Sequence, residues 1–130
     1  MFSHVTVGVS DLNRAAAFYD ALLTPLGLAQ REVVPDGGPP SRCWHMPGVN
    51  LPRFYAYLPF DGCPCSVANG GMVAFLAPSP ETVEAAYVEG LRKGGSDEGA
   101  PGLRPHYGPD YFGAYLRDPD GNKVHIVYRG

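Results

Sequence analysis

Two stretches of the chain, 68 positions apart, read as copies of one strand-helix unit. The first copy begins at His4 and the second at Met72. Such a repeat constrains the architecture strongly, because each copy must build the same supersecondary unit. The sequence therefore predicts a duplicated module in which His4 and Met72 are equivalent. Matching residues at this offset are Val5 and Val73, Ala17 and Ala85, Tyr19 and Tyr87, Leu23 and Leu91, and Gly27 and Gly95.

The first module is predicted to contain a strand, a helix and three further strands. Residues 4–9 alternate valine with other residues, which is the period of a strand whose valines face a helix. Asp11 is the predicted N-cap of that helix, which is expected to end before Pro25. Turns rich in proline and glycine separate three weaker strands, predicted at about 28–34, 42–46 and 53–58.

The second module is predicted to start with a strand at about residues 71–77. Ser79 is its predicted helix N-cap and Pro80 its first helical residue, where a missing N–H costs nothing. The helix is expected to end at Gly94-Gly95, and residues 99–110 are predicted to form a long loop. The predicted organisation is a single domain over 1–130, with module one at about 1–60, a linker at about 59–70 and module two at about 71–130.

A hairpin is predicted to close the chain, with arms at about 111–117 and 123–128 and Asp118-Pro-Asp-Gly121 as its turn. Strand alternation puts His125 on the face away from the core, and pairing across the turn places Tyr115 directly opposite it. His4 is expected on the same kind of face. Two imidazoles in one cluster could share a divalent metal, act as acid and base, or simply bond to the backbone.

Charge and hydropathy narrow the class of partner. The net charge of −3 and the lack of a lysine or arginine cluster argue against nucleic acid and anionic membranes as partners. No apolar run approaches the roughly 20 residues that a membrane-spanning helix needs. A strand predicted from the third or fourth residue leaves no room for a signal peptide, so a cytoplasmic protein with a small-molecule ligand is expected.

The number of cysteines does not indicate a framework of disulfide bonds. Cys43, Cys63 and Cys65 are an odd number in a chain without a secretory signal. The Cys63-Pro-Cys65 spacing differs from that of ordinary zinc knuckles, although it could hold a soft metal. Free thiols in a loop are the favoured interpretation.

The two ends of the chain resemble a known superfamily. His-Val-x-Val at His4, followed by Ser-Asp-Leu and Phe18-Tyr19, and Asp118-Pro-Asp-Gly-Asn122 before the last strand, resemble the vicinal oxygen chelate superfamily. This superfamily includes glyoxalase I, extradiol dioxygenases and bleomycin-binding proteins. The resemblance implies an α+β fold of two βαβββ modules forming a cup-shaped mixed sheet, and a homodimer is expected.

The resemblance also implies a place for a metal ion. Members often bind a divalent ion through residues of the first strand, the strand that opens the second module and the last strand. Those positions are His4, Met72 and His125 here. A thioether is a poor ligand for Zn, Ni, Mn or Fe ions, so the implied site consists of His4 and His125 and holds its metal weakly.

The implied function is that of a glyoxalase-like protein acting on a small oxygenated molecule. Such an enzyme would be a metal-dependent lyase or isomerase, or dioxygenase-like, with Tyr115 as the catalytic side chain. The alternatives are a metal-free small-molecule or drug-binding protein of the bleomycin-resistance type, and an interaction module with an empty cup. Candidate substrate-binding residues, which would otherwise only rigidify a loop or strand, are Arg104, His106, Tyr107, Tyr111, Tyr55 and Tyr57.

Overall fold

The computed structural model describes residues 1–130, which form two helices and eight strands. Neither helix has both the length and the apolar composition needed to cross a membrane. Single 3-10 turns lie at Thr24–Leu26 and Pro105–Tyr107. The elements are β1 His4–Gly8, α1 Leu12–Leu23, β2 Ala29–Arg31, β3 Ser41–His45, β4 Arg53–Tyr57, β5 Val73–Leu76, α2 Pro80–Arg92, β6 Ser96–Leu103, β7 Phe112–Arg117 and β8 Lys123–Tyr128.

The strands form two four-stranded mixed sheets with the same order. The first sheet runs β1-β4-β3-β2 and the second runs β5-β8-β7-β6. In each sheet the opening strand pairs in parallel with the last strand, and the other pairs are antiparallel. The predicted α+β fold of two βαβββ modules is therefore confirmed.

The strand register is the same in the two modules. Val5 pairs with Phe54 and Val73 pairs with Val124, so the opening strands are offset by 68 residues and the last strands by 70. Tyr55 follows Phe54 on β4 and His125 follows Val124 on β8, so Tyr55 is the first-module counterpart of His125. His4 precedes Val5 and Met72 precedes Val73, so these two residues hold equivalent positions, as the repeat predicts.

The helix boundaries follow the predicted capping residues. Asp11 accepts a hydrogen bond from the Arg14 N–H, and Ser79 accepts one from the Thr82 N–H. Pro80 is the first residue of α2, and the helix ends at Arg92. Gly94 then takes the left-handed conformation, with φ of 96°, that the predicted C-terminal stop requires.

One hydrophobic core joins both modules. Phe18 of α1 is fully buried and lies where a side chain on Gly90 or Gly95 would be. A Cβ on Gly95 would come within 2.5 Å of the Phe18 ring, so this glycine allows the close approach of the second module to α1. Trp44 is also fully buried in this core.

The hairpin turn fastens the second module to the first. The buried Asp118 carboxylate accepts a hydrogen bond from the Tyr19 hydroxyl at 2.7 Å. Asp120 accepts from the backbone N–H and hydroxyl of Ser10 and forms an ion pair with Arg14. These contacts hold the start of β8 at the end of β1, and so they position His125.

The structure corrects one sequence prediction. Part of the predicted loop at 99–110 belongs to strand β6, Ser96–Leu103. Glycine and proline are tolerated there because β6 is an edge strand with irregular register, bulged on both sides of Gly99. The predicted helix-facing valines differ in burial, since Val9, just after β1, is fully buried, whereas Val5 is 41% exposed although it pairs with the buried Phe54.

Candidate functional site

The predicted pairing of Tyr115 with His125 is confirmed. The two residues are register partners on β7 and β8, and their rings stack with centroids 4.0 Å apart and an interplanar angle of 7°. Val124 and Ile126, which flank His125, are fully buried in the core. Because side chains alternate along a strand, His125 lies on the sheet face opposite the core.

Backbone and side-chain hydrogen bonds fix the tautomer of His125. Its Nδ1 lies 2.8 Å from the carbonyl oxygen of Ala114, which can only accept a hydrogen bond, so Nδ1 carries the proton. In the neutral ring, Nε2 is then an acceptor, and the Tyr111 hydroxyl donates to it at 2.8 Å. Tyr111 and His125 are therefore linked as a proton donor and a base.

Burial keeps the His125 ring neutral. Desolvation lowers the pKa of His125 below its ordinary value, whereas the hydrogen bond to Ala114 opposes this effect. The nearby cations Arg104, Lys123 and Arg129 lower the pKa further. Because His125 is only 1% exposed, a ligand on this face meets the half-buried Tyr111 before it meets the imidazole.

Tyr115 has a different role from Tyr111 in the cluster. Burial raises the pKa of the Tyr115 phenol above its ordinary value, with further increases from Tyr111 and Tyr107, whereas Arg104 opposes them. A phenol with a raised pKa releases its proton less readily. The stacking of Tyr115 on His125 makes it a flat support for the imidazole.

Three glycines leave space for the cluster. A Cβ on Gly113 would lie 2.5 Å from the Cε1 atom of His125. A Cβ on Gly99 would lie 3.0 Å from the Tyr115 ring, and one on Gly102 would lie 3.2 Å from the Arg104 guanidinium. The glycines of β6 and β7 therefore let large polar side chains lie flat on the sheet.

Three cations lie close to the aromatic rings. The guanidinium of Arg104 is 5.7 Å and the ammonium of Lys123 is 5.1 Å from the Tyr115 ring centroid. The guanidinium of Arg129 is 5.1 Å from the Tyr111 centroid. Arg104 was a predicted site residue, whereas Lys123 and Arg129 were not predicted. Strand alternation could have indicated them, because residues 123, 125 and 127 lie on one face of β8 and residue 129 follows in the same alternation.

The predicted rim residues extend the row of rings outward. His106 and Tyr107 have ring centroids 4.1 Å apart, and Tyr107 is 5.2 Å from Tyr111. Tyr107 is 59% exposed, so the row runs from solvent at His106 and Tyr107 to the buried His125.

The remaining predicted site residues lie on the first sheet. The His4 ring meets the Tyr55 ring edge-on at 5.6 Å, and Tyr55 lies 5.5 Å from Tyr57. His4 and Tyr57 line a groove of about 650 Å³ together with Asp61 and other linker residues. Tyr115 and His125 are thus together on the second sheet, whereas His4 lies on the first sheet beside Tyr55.

The donors present do not fit a divalent metal ion. No group of three or more histidine, cysteine, aspartate or glutamate side chains is arranged to hold one. Both ring nitrogens of His125 already have hydrogen-bond partners, and the position equivalent to His4 carries the thioether of Met72. A hard or borderline ion prefers oxygen or imidazole ligands to a thioether. The site therefore offers acid, base and hydrogen-bonding side chains without a fitting set of ligands for a divalent ion.

Comparison with solved structures identifies close similarity over the whole chain. A glyoxalase/bleomycin resistance protein from Albidiferax ferrireducens T118 is 39% identical, with a TM-score of 0.82 over 100% of this chain and 99% of that one. A glyoxalase-related enzyme from Fulvimarina pelagi is 20% identical, with a TM-score of 0.67 over 99% and 88% of the two chains. A lactoylglutathione lyase from Agrobacterium tumefaciens is also 20% identical, with a TM-score of 0.64 over 98% and 92%.

The family comparison agrees with the fold. A search of curated proteins found no match. The family profile described as Glyoxalase/Bleomycin resistance protein/Dioxygenase superfamily matches residues 1–126. This match spans both modules, from β1 into β8, and includes the hairpin turn. The chain therefore belongs to the Glyoxalase/Bleomycin resistance protein/Dioxygenase superfamily.

Proposed function

We propose that the protein is a glyoxalase-like enzyme that binds a small oxygenated molecule against the rings of Tyr111 and Tyr115. Tyr111 moves a proton to or from this ligand, and His125 is the base behind it. The observation that carries the proposal is the hydrogen bond from the Tyr111 hydroxyl to Nε2 of His125. The Ala114 carbonyl supports it by holding the proton of the ring on Nδ1.

The geometry favours Tyr111 over Tyr115 as the group that meets the ligand. When the Tyr111 oxygen takes a proton from the ligand, Nε2 of His125 accepts the hydroxyl proton of Tyr111, and the reverse transfers return a proton to the ligand. Tyr115 supports the imidazole ring, and Arg104 lies over Tyr115. An isomerase reaction that only relocates a proton could therefore proceed with these side chains. The predicted rim residues His106 and Tyr107 would contact the outer part of the ligand.

A homodimer is part of this proposal. The opening strands β1 and β5 are the outermost strands of their sheets. Large apolar side chains are exposed there, with Val5 at 41%, Met72 at 45% and Leu76 at 68%. Exposed apolar side chains on open sheet edges favour association with a second copy. The His4 groove of the first sheet would then provide part of the ligand site.

Substitution Tyr111→Phe tests the proton transfer. The phenyl ring keeps the stack but removes the only O–H that reaches Nε2. The measurement is the rate at which deuterium from the solvent replaces the carbon-bound protons of hydroxyacetone or pyruvate. Proton NMR follows this exchange. The wild type is expected to accelerate this exchange, and Tyr111→Phe to slow it by about 100-fold, which is a typical contribution of a general acid or base.

The matched control is Tyr87→Phe, which removes a hydroxyl from α2 on the core side of the second sheet and should leave the exchange rate nearly unchanged. Equal rates for Tyr111→Phe and the wild type would contradict the proposed role of Tyr111. Binding of the probes without any exchange would instead favour the alternative, a metal-free binding protein.

A further inference from the structure

We propose that the ligand carries a carboxylate group, which Arg104, Lys123 and Arg129 bind beside the rings of Tyr111 and Tyr115. This inference rests on the proposed function, because it names the ligand class for the same face of the second sheet. It adds Lys123 and Arg129 to the site as the groups that select for negative charge.

The three cations surround one aromatic surface. Arg104 and Lys123 approach the Tyr115 ring, and Arg129 approaches the Tyr111 ring, at distances between 5.1 and 5.7 Å from the ring centroids. Their charges add on a face whose buried His125 is neutral. An oxyanion on this face would therefore meet positive charge from three side chains.

No acidic side chain neutralises these cations. The ion pairs within the chain are Arg14–Asp120, Arg92–Glu89 and Arg117–Glu98. Glu98, an acidic residue of the neighbouring β6, is thus already paired with Arg117. Arg104, Lys123 and Arg129 take part in none of these ion pairs.

Arg104 is held in place before any ligand arrives. Its guanidinium donates to the carbonyl oxygens of Ala100 and Leu103, which fixes its position over the sheet. Gly99 and Gly102 provide the space in which it lies. A guanidinium has five N–H groups, and those not bonded to the backbone remain available to a carboxylate. Fixing the side chain in advance reduces the entropy lost on binding.

The flat rings of Tyr111 and Tyr115 favour a planar ligand, so benzoate is a suitable probe. Isothermal titration calorimetry would compare benzoate with benzamide, which has the same shape without the charge, and with inorganic phosphate. Benzoate is expected to bind at least about tenfold more tightly than benzamide, since charge-assisted hydrogen bonds are roughly twice as strong as neutral ones. Phosphate, which lacks the ring, is expected to bind more weakly than benzoate.

Two charge-removing variants and one control test the named residues. Lys123→Gln and Arg129→Gln are each expected to weaken benzoate binding about three- to tenfold and to leave benzamide binding unchanged. Lys93→Gln removes the same charge just after α2, on the far side of the molecule, and should have no effect. Circular dichroism of each variant would verify that it is folded.

Several outcomes would overturn the inference. They are equal binding of benzoate and benzamide, no binding of benzoate, phosphate binding as tight as benzoate, and an effect of Lys93→Gln as large as that of Lys123→Gln. The test is separate from that of proton transfer. Benzoate binding that depends on Lys123 would support the carboxylate site even if Tyr111→Phe exchanged deuterium as fast as the wild type.

Discussion

Replacing Asp118 with alanine is expected to lower the free energy of unfolding by about 3–5 kcal/mol, because several buried donors lose their charged acceptor together. The Asp118 carboxylate is 3% exposed and accepts from the Tyr19 hydroxyl, the Asp120 N–H, and the backbone and side-chain N–H groups of Asn122. The alanine variant leaves these donors without partners in a region that water does not reach.

Urea denaturation of the wild type and the variant would measure this loss. Asp110→Ala is the control, because Asp110 is an exposed aspartate near the same hairpin, and its replacement should change the unfolding free energy by less than about 0.5 kcal/mol. A loss below about 1 kcal/mol for Asp118→Ala would mean that the turn does not fasten the two modules as described.

Replacing Phe18 with alanine is expected to cost about 3–5 kcal/mol of unfolding free energy, the usual range for a buried phenylalanine. Phe18 is fully buried on α1 and packs against Gly90 and Gly95, which belong to the second module. Neither glycine has a side chain that could fill the cavity. The variant would therefore weaken the shared core at the point where the modules meet.

Phe60→Ala is the matched control for this prediction, since Phe60 is 90% exposed in the linker and loses the same atoms on substitution. Its unfolding free energy should stay close to that of the wild type. Equal losses for the two variants would contradict the view that Phe18 joins the modules in one core.

Most of the fold could be predicted from the sequence because its signals are either local or repeated. The N-caps Asp11 and Ser79 and the Asp118 turn each depend on a few neighbouring residues, and the offset between His4 and Met72 is found by comparing two segments of the chain. Strand β6 was missed because its glycines and proline favour loops. Its pairing with β7 overrides that preference, and this long-range contact is not visible in the local sequence.

The part of the candidate site that could be predicted also depends on local sequence patterns. Turn register and strand alternation were enough to place Tyr115 opposite His125. The link from Tyr111 to His125 spans 14 residues and crosses from the start of one hairpin arm to the other, so no local pattern reports it. His4 was expected beside His125, but the relative placement of two sheets depends on packing of the whole chain.

The proposed proton transfer depends on the protonation state of His125, which nitrogen-detected NMR of the imidazole rings across a pH titration would measure. We expect a pKa below the ordinary value of 6.5, a proton on Nδ1 and an unprotonated Nε2. Tyr111→Phe should raise this pKa, because the lost hydrogen bond stabilised the neutral ring. In the wild type, the lowered pKa means that His125 binds a proton more readily in the unfolded chain than in the folded one. The free energy of unfolding should therefore fall as pH drops below 6.5. A pKa at or above 6.5, or a proton on Nε2 at neutral pH, would be incompatible with a neutral His125 that accepts a hydrogen bond from Tyr111.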